Sequence, residues 1–288
     1  MSSVRHAIAV ASGKGGVGKS TVAVNLAVAL AQTGAQVGLL DGDIYGPSVP
    51  VMTGLVGQHP HSPDGQRVSP LTSHGVKLMS MGFLVEEADS LAFRGPVVHQ
   101  VIQEFLQDVD WGDLDYLTVD LPPGTGDAVI TLIHSLPLSG VVIVSTPQNL
   151  AVVSVVRCVA LFREREVPLL GVIENMSVSL CPHCGEVLDI FGRGHKVREM
   201  CAYWEIPFLG SVPLDSQVRE SGDVGEPVVL RAPDSPASQA LTQIAAELTA
   251  RTGAVSETDV EQSGLPRPRI GSPSAGPSTG SGGSSGQA

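Results

Sequence analysis

Residues 13–20 read GKGGVGKS, which puts four glycines, two lysines and a serine into one short loop. The spacing satisfies G-x-x-x-x-G-K-S, a pattern in which backbone N–H groups curl around phosphate oxygens and the next helix adds the positive end of its dipole. Gly13, Gly15, Gly16 and Gly18 give the backbone that freedom on either side of Val17. Lys19 is expected to reach the β- and γ-phosphates, Ser20 to ligate Mg²⁺, and Thr21 to lie beside the cradle. A glycine-rich turn with no ligand is the bland alternative; strand, loop, Lys-Ser pair and helix standing in the required order weigh against it.

Carboxylates fall where such a loop needs them. Asp41 and Asp43 close the apolar run in LLDGD, and Asp120 closes another in LTVDLPPGTGD, so all three emerge at strand ends, where ligands bind in open α/β sheets. Asp120 suits coordination of a Mg²⁺-bound water, and Asp41 or Asp43 suits orientation of an attacking water. Helix capping and turn chemistry are the other uses of Asp after a strand, but Pro122 and Pro123 make Asp120 a poor cap.

A second constellation is CPHCG at 181–185. Cys-x-x-Cys with a glycine after it is a knuckle that aims two thiolates at one point, and a soft metal takes four. Cys158, in an apolar helical stretch, and Cys201, in a mixed one, read as core thiols, and His183 as a solvated turn residue. A thioredoxin-like dithiol would open a helix after a strand, a different context. Two-fold symmetry supplies the missing pair: two facing subunits make a Cys₄ site on the axis, fit for [4Fe–4S] or for tetrahedral Zn²⁺, and the residues alone leave that choice open.

The elements that must position these groups alternate. Val/Ile/Leu-rich runs at 6–12, 35–41, 76–81, 114–120, 140–146, 168–175 and 206–212 read as buried strands; 19–34, 96–109 and 151–166 have helical length and period. The implied fold class is α/β, a mostly parallel sheet with helices on both faces. Residues 47–75, rich in Pro, Gly and His, read as a long surface connection, and 236–251 as a closing helix with Leu241, Ile244, Ala245 and Leu248 on one stripe. Residues 1–252 are expected to form one domain and 253–288, which dissolve into Ser, Gly and Pro, a disordered tail.

The 288 residues are 42% hydrophobic, enough for a sizeable core, and carry a net charge of −12, which disfavours a surface built to track nucleic acid or anionic lipid. Four cysteines are too few for a disulfide scaffold, and the N-terminus passes into the glycine loop without a signal-type apolar region, so a cytoplasmic location is expected. The longest apolar region, 141–162, is broken by STPQN and Arg157, so no bilayer span is expected.

Lys14, a second cation inside the loop, would by charge alone be a solvated lysine. KGGVGKS, however, resembles the deviant Walker A of SIMIBI-class P-loop ATPases, which include MinD, ParA and the nitrogenase iron protein. With DGDIYGPS (41–48), RGP (94–96), WGDLDYLTVDLPPGTGD (111–127), STPQ (145–148), GVIENMS (171–177) and CPHCG (181–185), the chain is similar to the Mrp/ApbC family of iron–sulfur carrier ATPases. That family is related to the eukaryotic cytosolic Fe–S scaffold proteins.

The resemblance implies a single P-loop NTPase domain in which Gly13 through Thr21 hold the phosphates and Lys14 reaches across a sandwich dimer to the partner's nucleotide. It further implies Asp43 as the switch carboxylate near the hydrolytic water, and Asp41 and Asp120 around Mg²⁺. Asn175, with Pro213 and Asp215 in VPLD, matches positions that frame the adenine. Cys181 and Cys184 match the pair that holds the cluster. Gly42 departs from the Ala common there, FGRGH (191–195) departs from a more glycine-rich stretch, and the N-terminal additions of some relatives are missing, which leaves the cluster to CPHCG. The implied activity is slow ATP hydrolysis coupled to cluster transfer, with ATP, Mg²⁺ and a [4Fe–4S] cluster, by a homodimer. Its implied partners are apo Fe–S proteins and a cluster-assembly scaffold, not nucleic acid or membrane. Two other readings compete. A MinD/ParA-like positioning ATPase would need a basic DNA-binding surface or a basic amphipathic terminal helix, which the composition does not supply. A nucleotide-binding protein with a structural zinc differs from the carrier in its metal.

Overall fold

β1 (Val4–Ser12) runs VRHAIAVAS, and every residue but Arg5 is buried, because this strand has neighbours on both edges and helices on both faces. The structure is a computed structural model that describes residues 3–63, 65–85, 95–181, 183–191 and 195–263. Arg94, Pro182, residues 192–194 of the FGRGH stretch, and 264–288 lie outside them. After β1 come α1 (Lys19–Gln32), β2 (Val37–Asp41), α2 (Val49–Met52), β3 (Leu71–Ser73), β4 (Val76–Met79), α3 (Gly95–Gln107), β5 (Leu114–Asp120) and α4 (Asp127–Ser135). Next in the chain are β6 (Gly140–Ser145), α5 (Asn149–Glu164), β7 (Leu169–Asn175), a short pair β8 (Ser179–Leu180) and β9 (Val187–Leu188), and α6 (His195–Tyr203). The chain closes with β10 (Phe208–Val212), α7 (Ser216–Asp223), α8 (Val228–Arg231) and α9 (Pro236–Ser263).

The main sheet has eight strands in the order β10-β7-β6-β1-β5-β2-β4-β3, parallel except at the β3–β4 edge. All the strands expected from the apolar runs are present. One core, with α1, α8 and α9, fills one face of the sheet; the other, with α3, α4, α5 and α6, fills the opposite face. α1 is buried along most of its length between sheet and α9, which is why its Ala/Val sequence lacks a polar face. Leu241, Ile244, Ala245 and Leu248 of α9 are buried, as their stripe predicts.

Parallel register is what assembles the site. Asp41 stands opposite Asp120, Val10 opposite Asp120, Ser12 opposite Val144, Ser145 opposite Glu174, and Val212 opposite Asn175. The C-terminal ends of six strands therefore form one rim, from which every loop of interest departs.

Two regions differ from expectation. The 47–75 connection contains α2 and the edge strand β3, and buries Val49 and Leu55; its apolar residues are too widely spaced by Pro and Gly to show a period. The closing helix runs past the expected boundary at 253 to Ser263, since no helix breaker stands between Gly253 and Gly264.

Candidate functional site

The phosphate loop joins β1 to α1, and its glycines do distinct work. Gly16 and Gly18 have φ of 77° and 78°, and a Cβ on Gly18 would lie 2.3 Å from Asn175 Nδ2. Gly13 packs on helix backbone: a Cβ there would be 2.4 Å from the Ser154 carbonyl. Val17 is buried and plugs the loop into the core, while its carbonyl accepts from Asn175 Nδ2 at 2.9 Å. The resulting cleft of about 280 Å³ is lined by Lys14, Gly15, Gly16, Gly18, Lys19, Ser20 and Thr21 from the loop, together with Asp43, Ser48 and Pro123. Lys14 Nζ donates to Gln148 Oε1 at 3.0 Å, so it is a docked rather than a solvated lysine. Gln148 stands at the start of α5, in the STPQ stretch.

Behind the loop lies a buried charge cluster. Lys19, 6% exposed, donates to Asp120, fully buried, and also to Ser20 Oγ at 3.2 Å. The second oxygen of Asp120 is buried with no hydrogen-bond partner among the described residues. Burial raises the Asp120 carboxyl above the usual carboxylate range, against the opposing pull of the Lys19 ammonium. Asp41 is pushed up to about 7 by burial and by the Asp120 charge, with the hydrogen bond from Ser80 pulling the other way.

Asp41, expected beside Mg²⁺, stands at the base of the 43–49 segment. Its Oδ1 accepts from the Asp43 N–H at 3.2 Å, and its Oδ2 from Ser80 Oγ at 2.9 Å and the Val49 N–H at 3.4 Å. Both oxygens face protein donors, so Asp41 ties down the two ends of the 43–49 segment while Asp43, half-buried, lines the cleft. Ser80 has no marker in the sequence that would have singled it out.

Next to the cradle, sharing Gly18, Thr21, Ser48 and Met52 with it, is a largely apolar pocket of about 490 Å³. Asn175, Pro213 and Asp215 all line it, as do Met176, Leu214 and Val218. Asp215 also caps α7, its Oδ1 accepting from the Gln217 N–H at 2.9 Å. An apolar slot beside a phosphate cradle, edged by an amide and a carboxylate, fits a nucleobase.

The cysteines sit apart, on a two-stranded hairpin. Leu180 pairs with Val187, the Cys181 N–H donates to the Glu186 carbonyl at 2.9 Å, and the Gly185 N–H to the Cys181 carbonyl at 2.9 Å. Gly185 takes φ 74°, the left-handed turn that the knuckle needs. Cys181 is half-buried; Cys184 and His183 are exposed. The Cys184 and His183 N–H groups, and then the Cys184 thiol, hold the Cys181 thiol below its ordinary range. Cys158 and Cys201 are core thiols, pushed up by burial to about 12 and about 11. Among the described residues no three His, Cys, Asp or Glu side chains gather as a metal site. No helix among them is long and apolar enough to cross a membrane.

Known proteins resemble this chain in sequence and fold. An "Iron-sulfur cluster carrier protein" of Aquifex aeolicus is 49% identical over 247 residues, covering 85% of this chain and 68% of the relative. The solved structure of a nucleotide-binding protein from Archaeoglobus fulgidus in complex with ADP superposes with a TM-score of 0.68 at 40% identity, over 77% of this chain and 87% of that one. The septum site-determining protein MinD of Pyrococcus horikoshii, complexed with Mg-ADP, matches with a TM-score of 0.66 at 21% identity over 88% and 99% of the two chains, which shows a shared fold. A family model described as ParA, NUBPL iron-transfer P-loop NTPase, matches residues 3–249, and the chain belongs to that family.

Proposed function

We propose that this protein is an ATP-hydrolysing iron–sulfur carrier: two copies bind ATP and hold a [4Fe–4S] cluster between their cysteine hairpins, then pass it to apo-proteins. One observation carries the reading. A complete phosphate cradle with a docked lysine at its rim shares one chain with a free Cys-x-x-Cys pair, which taken twice makes the four thiolates that a [4Fe–4S] cluster needs. The names of the similar carrier proteins support the cargo.

Ser20 and the unpartnered oxygen of Asp120 suit Mg²⁺ and its water shell, and bound Mg²⁺ would neutralise charge on the β- and γ-phosphates. The chain's own groups do the rest. Loop N–H groups and Lys19 bind the phosphates, and an ammonium already held by Asp120 is pre-oriented for them. Lys14 exchanges the neutral Gln148 amide for an anionic phosphate oxygen, a stronger acceptor, either in its own site or across the dimer. Asp43 orients the attacking water while Asp41 fixes the segment that carries it. The cluster is cargo: paired hairpins supply Cys181 and Cys184 twice, making four thiolates.

Anaerobic reconstitution with iron and sulfide, read by ultraviolet–visible spectrum and iron per dimer, tests the proposal. Four iron per dimer is expected, with loss of the cluster in Cys181→Ala and in Cys184→Ala. Zinc at one per dimer with no ATP turnover would replace the carrier by a structural-zinc protein, and cysteine variants that bind iron like the parent would sink it.

A further inference from the structure

The nucleobase pocket and the cysteine hairpin are built from the same two backbone legs. One leg leaves the end of β7: Asn175 and Met176 line the pocket, and the chain then passes through Ser177 and Val178 into β8 and Cys181. The other is the end of β10: Val212, then Pro213, Leu214 and Asp215, which line the pocket's far side. Three hydrogen bonds staple the legs together between pocket and hairpin. The Ser177 N–H donates to the Val212 carbonyl at 3.0 Å, Ser177 Oγ to the same carbonyl at 3.1 Å, and the Leu214 N–H to the Val178 carbonyl at 2.8 Å.

The bend between pocket and staple is a stressed one. Met176 has φ 54°, a left-handed conformation that a non-glycine residue adopts only at a cost, and its methyl group lies 3.5 Å from where a Cβ on Gly18 would stand. Ser177 itself is 5% exposed and does not line the pocket. The staples would carry any change in the separation of the two legs directly to the root of a hairpin whose own pairing is only two residues long on each strand.

We infer that Ser177 and the Val178–Leu214 hydrogen bond form a clamp through which occupancy of the base pocket, rather than of the phosphate loop, sets how far the Cys181–Cys184 pair is exposed. Ser177 is a positioning residue in this device. The inference rests on reading the pocket as the nucleobase site and the hairpin as the cluster site, and it adds the direction of communication: base to thiols, along the rim of the sheet.

The test uses the full-length, metal-free protein, so that it stands apart from whether a cluster assembles. Iodoacetamide alkylation of Cys181 and Cys184 is timed by mass spectrometry with no addition, with saturating Mg·ADP, and with saturating Mg·tripolyphosphate, which fills the phosphate loop without a base. Binding is monitored in parallel by calorimetry. ADP is expected to change the alkylation rate by about fivefold or more, the lower end of ordinary coupling between sites, and tripolyphosphate by less than twofold. Ser177→Ala, which removes the Oγ staple and keeps the two backbone ones, is expected to bind ADP within about twofold of the parent and to show a smaller change, and Ser177→Thr to restore it. An equal response to tripolyphosphate, no response to ADP, or a full response in Ser177→Ala would each overturn the clamp while leaving the carrier reading to its own reconstitution test. A protein that binds no ADP would overturn both.

Discussion

The phosphate cradle and the cysteine hairpin hang from the same rim of the sheet yet are built on opposite principles. The cradle grows out of β1, the strand with partners on both edges, and its charged groups are held by partners within the chain: Lys19 by Asp120, Asp41 by Ser80 and two backbone N–H groups, Lys14 by Gln148. The hairpin is a separate two-stranded sheet, solvent-exposed along β9, with one thiol half-buried and the other exposed. Their turn glycines mark the contrast. A Cβ at Gly18 would strike Asn175, whereas one at Gly185 meets nothing within 4 Å. The phosphate site is packed into the sheet and held by many contacts; the thiol pair stands on a thin, exposed hairpin.

Removing the central cation should break the comparison most visibly. Lys19→Met deletes the loop's main phosphate contact and leaves a buried carboxylate without its ion pair. Losing one partner of such a pair costs about 3–5 kcal/mol, less as Asp120 takes up a proton. ATP turnover should fall by about a hundredfold to a thousandfold, as for loss of a preorganised electrostatic contact, and the nucleotide-dependent rise in Tm should vanish. Iron bound on reconstitution should stay that of the parent, because Lys19 touches nothing in the hairpin. A parallel loss of iron would show that the two regions are not separable.

A smaller effect comes from the buried acid that the hairpin lacks. Asp41 titrates at about 7 when folded and at 3.8 when exposed, so between those values the folded chain holds a proton that the unfolded chain has released. That contribution to stability is complete below about pH 4 and declines as pH rises towards 7, by up to about 1.4 kcal/mol per unit. Denaturant melts of the metal-free protein at about pH 5 and pH 7 should show the parent losing roughly 2 kcal/mol more than Asp41→Asn across that interval. Equal slopes would remove Asp41 as the source.

Legibility in the sequence divides along the same line. The central strands announce themselves because burial on both faces demands unbroken Val, Ile and Leu, and the phosphate loop does so because its chemistry fixes glycine and lysine spacing. The edge strand β3 is hidden in LTS, half-exposed and paired on one side only, and so free of any such demand. Gln148 is visible only as part of STPQ, and Ser80 not at all, since a serine that serves one carboxylate needs no pattern around it. Asp41 shows the limit of spacing arguments: its place at a strand end is legible, but which way its two oxygens turn depends on the loop that folds back over it.

The smallest change tests the thin region on its own terms. Gly185→Ala puts a Cβ into open space, so its whole cost is the left-handed backbone, about 1 kcal/mol. The hairpin contributes little to the core, so it relaxes locally, and the global melt should move by less than about 0.5 kcal/mol. Cluster affinity responds differently. Each hairpin must adopt the strained turn to present both thiolates, so one hairpin loses about fivefold and a site shared by two loses about 30-fold. Competition with an iron chelator under anaerobic conditions reads this difference. A loss of only about fivefold would mean that a single hairpin holds the cluster, because a penalty incurred once per chain is squared only where two chains meet at one site.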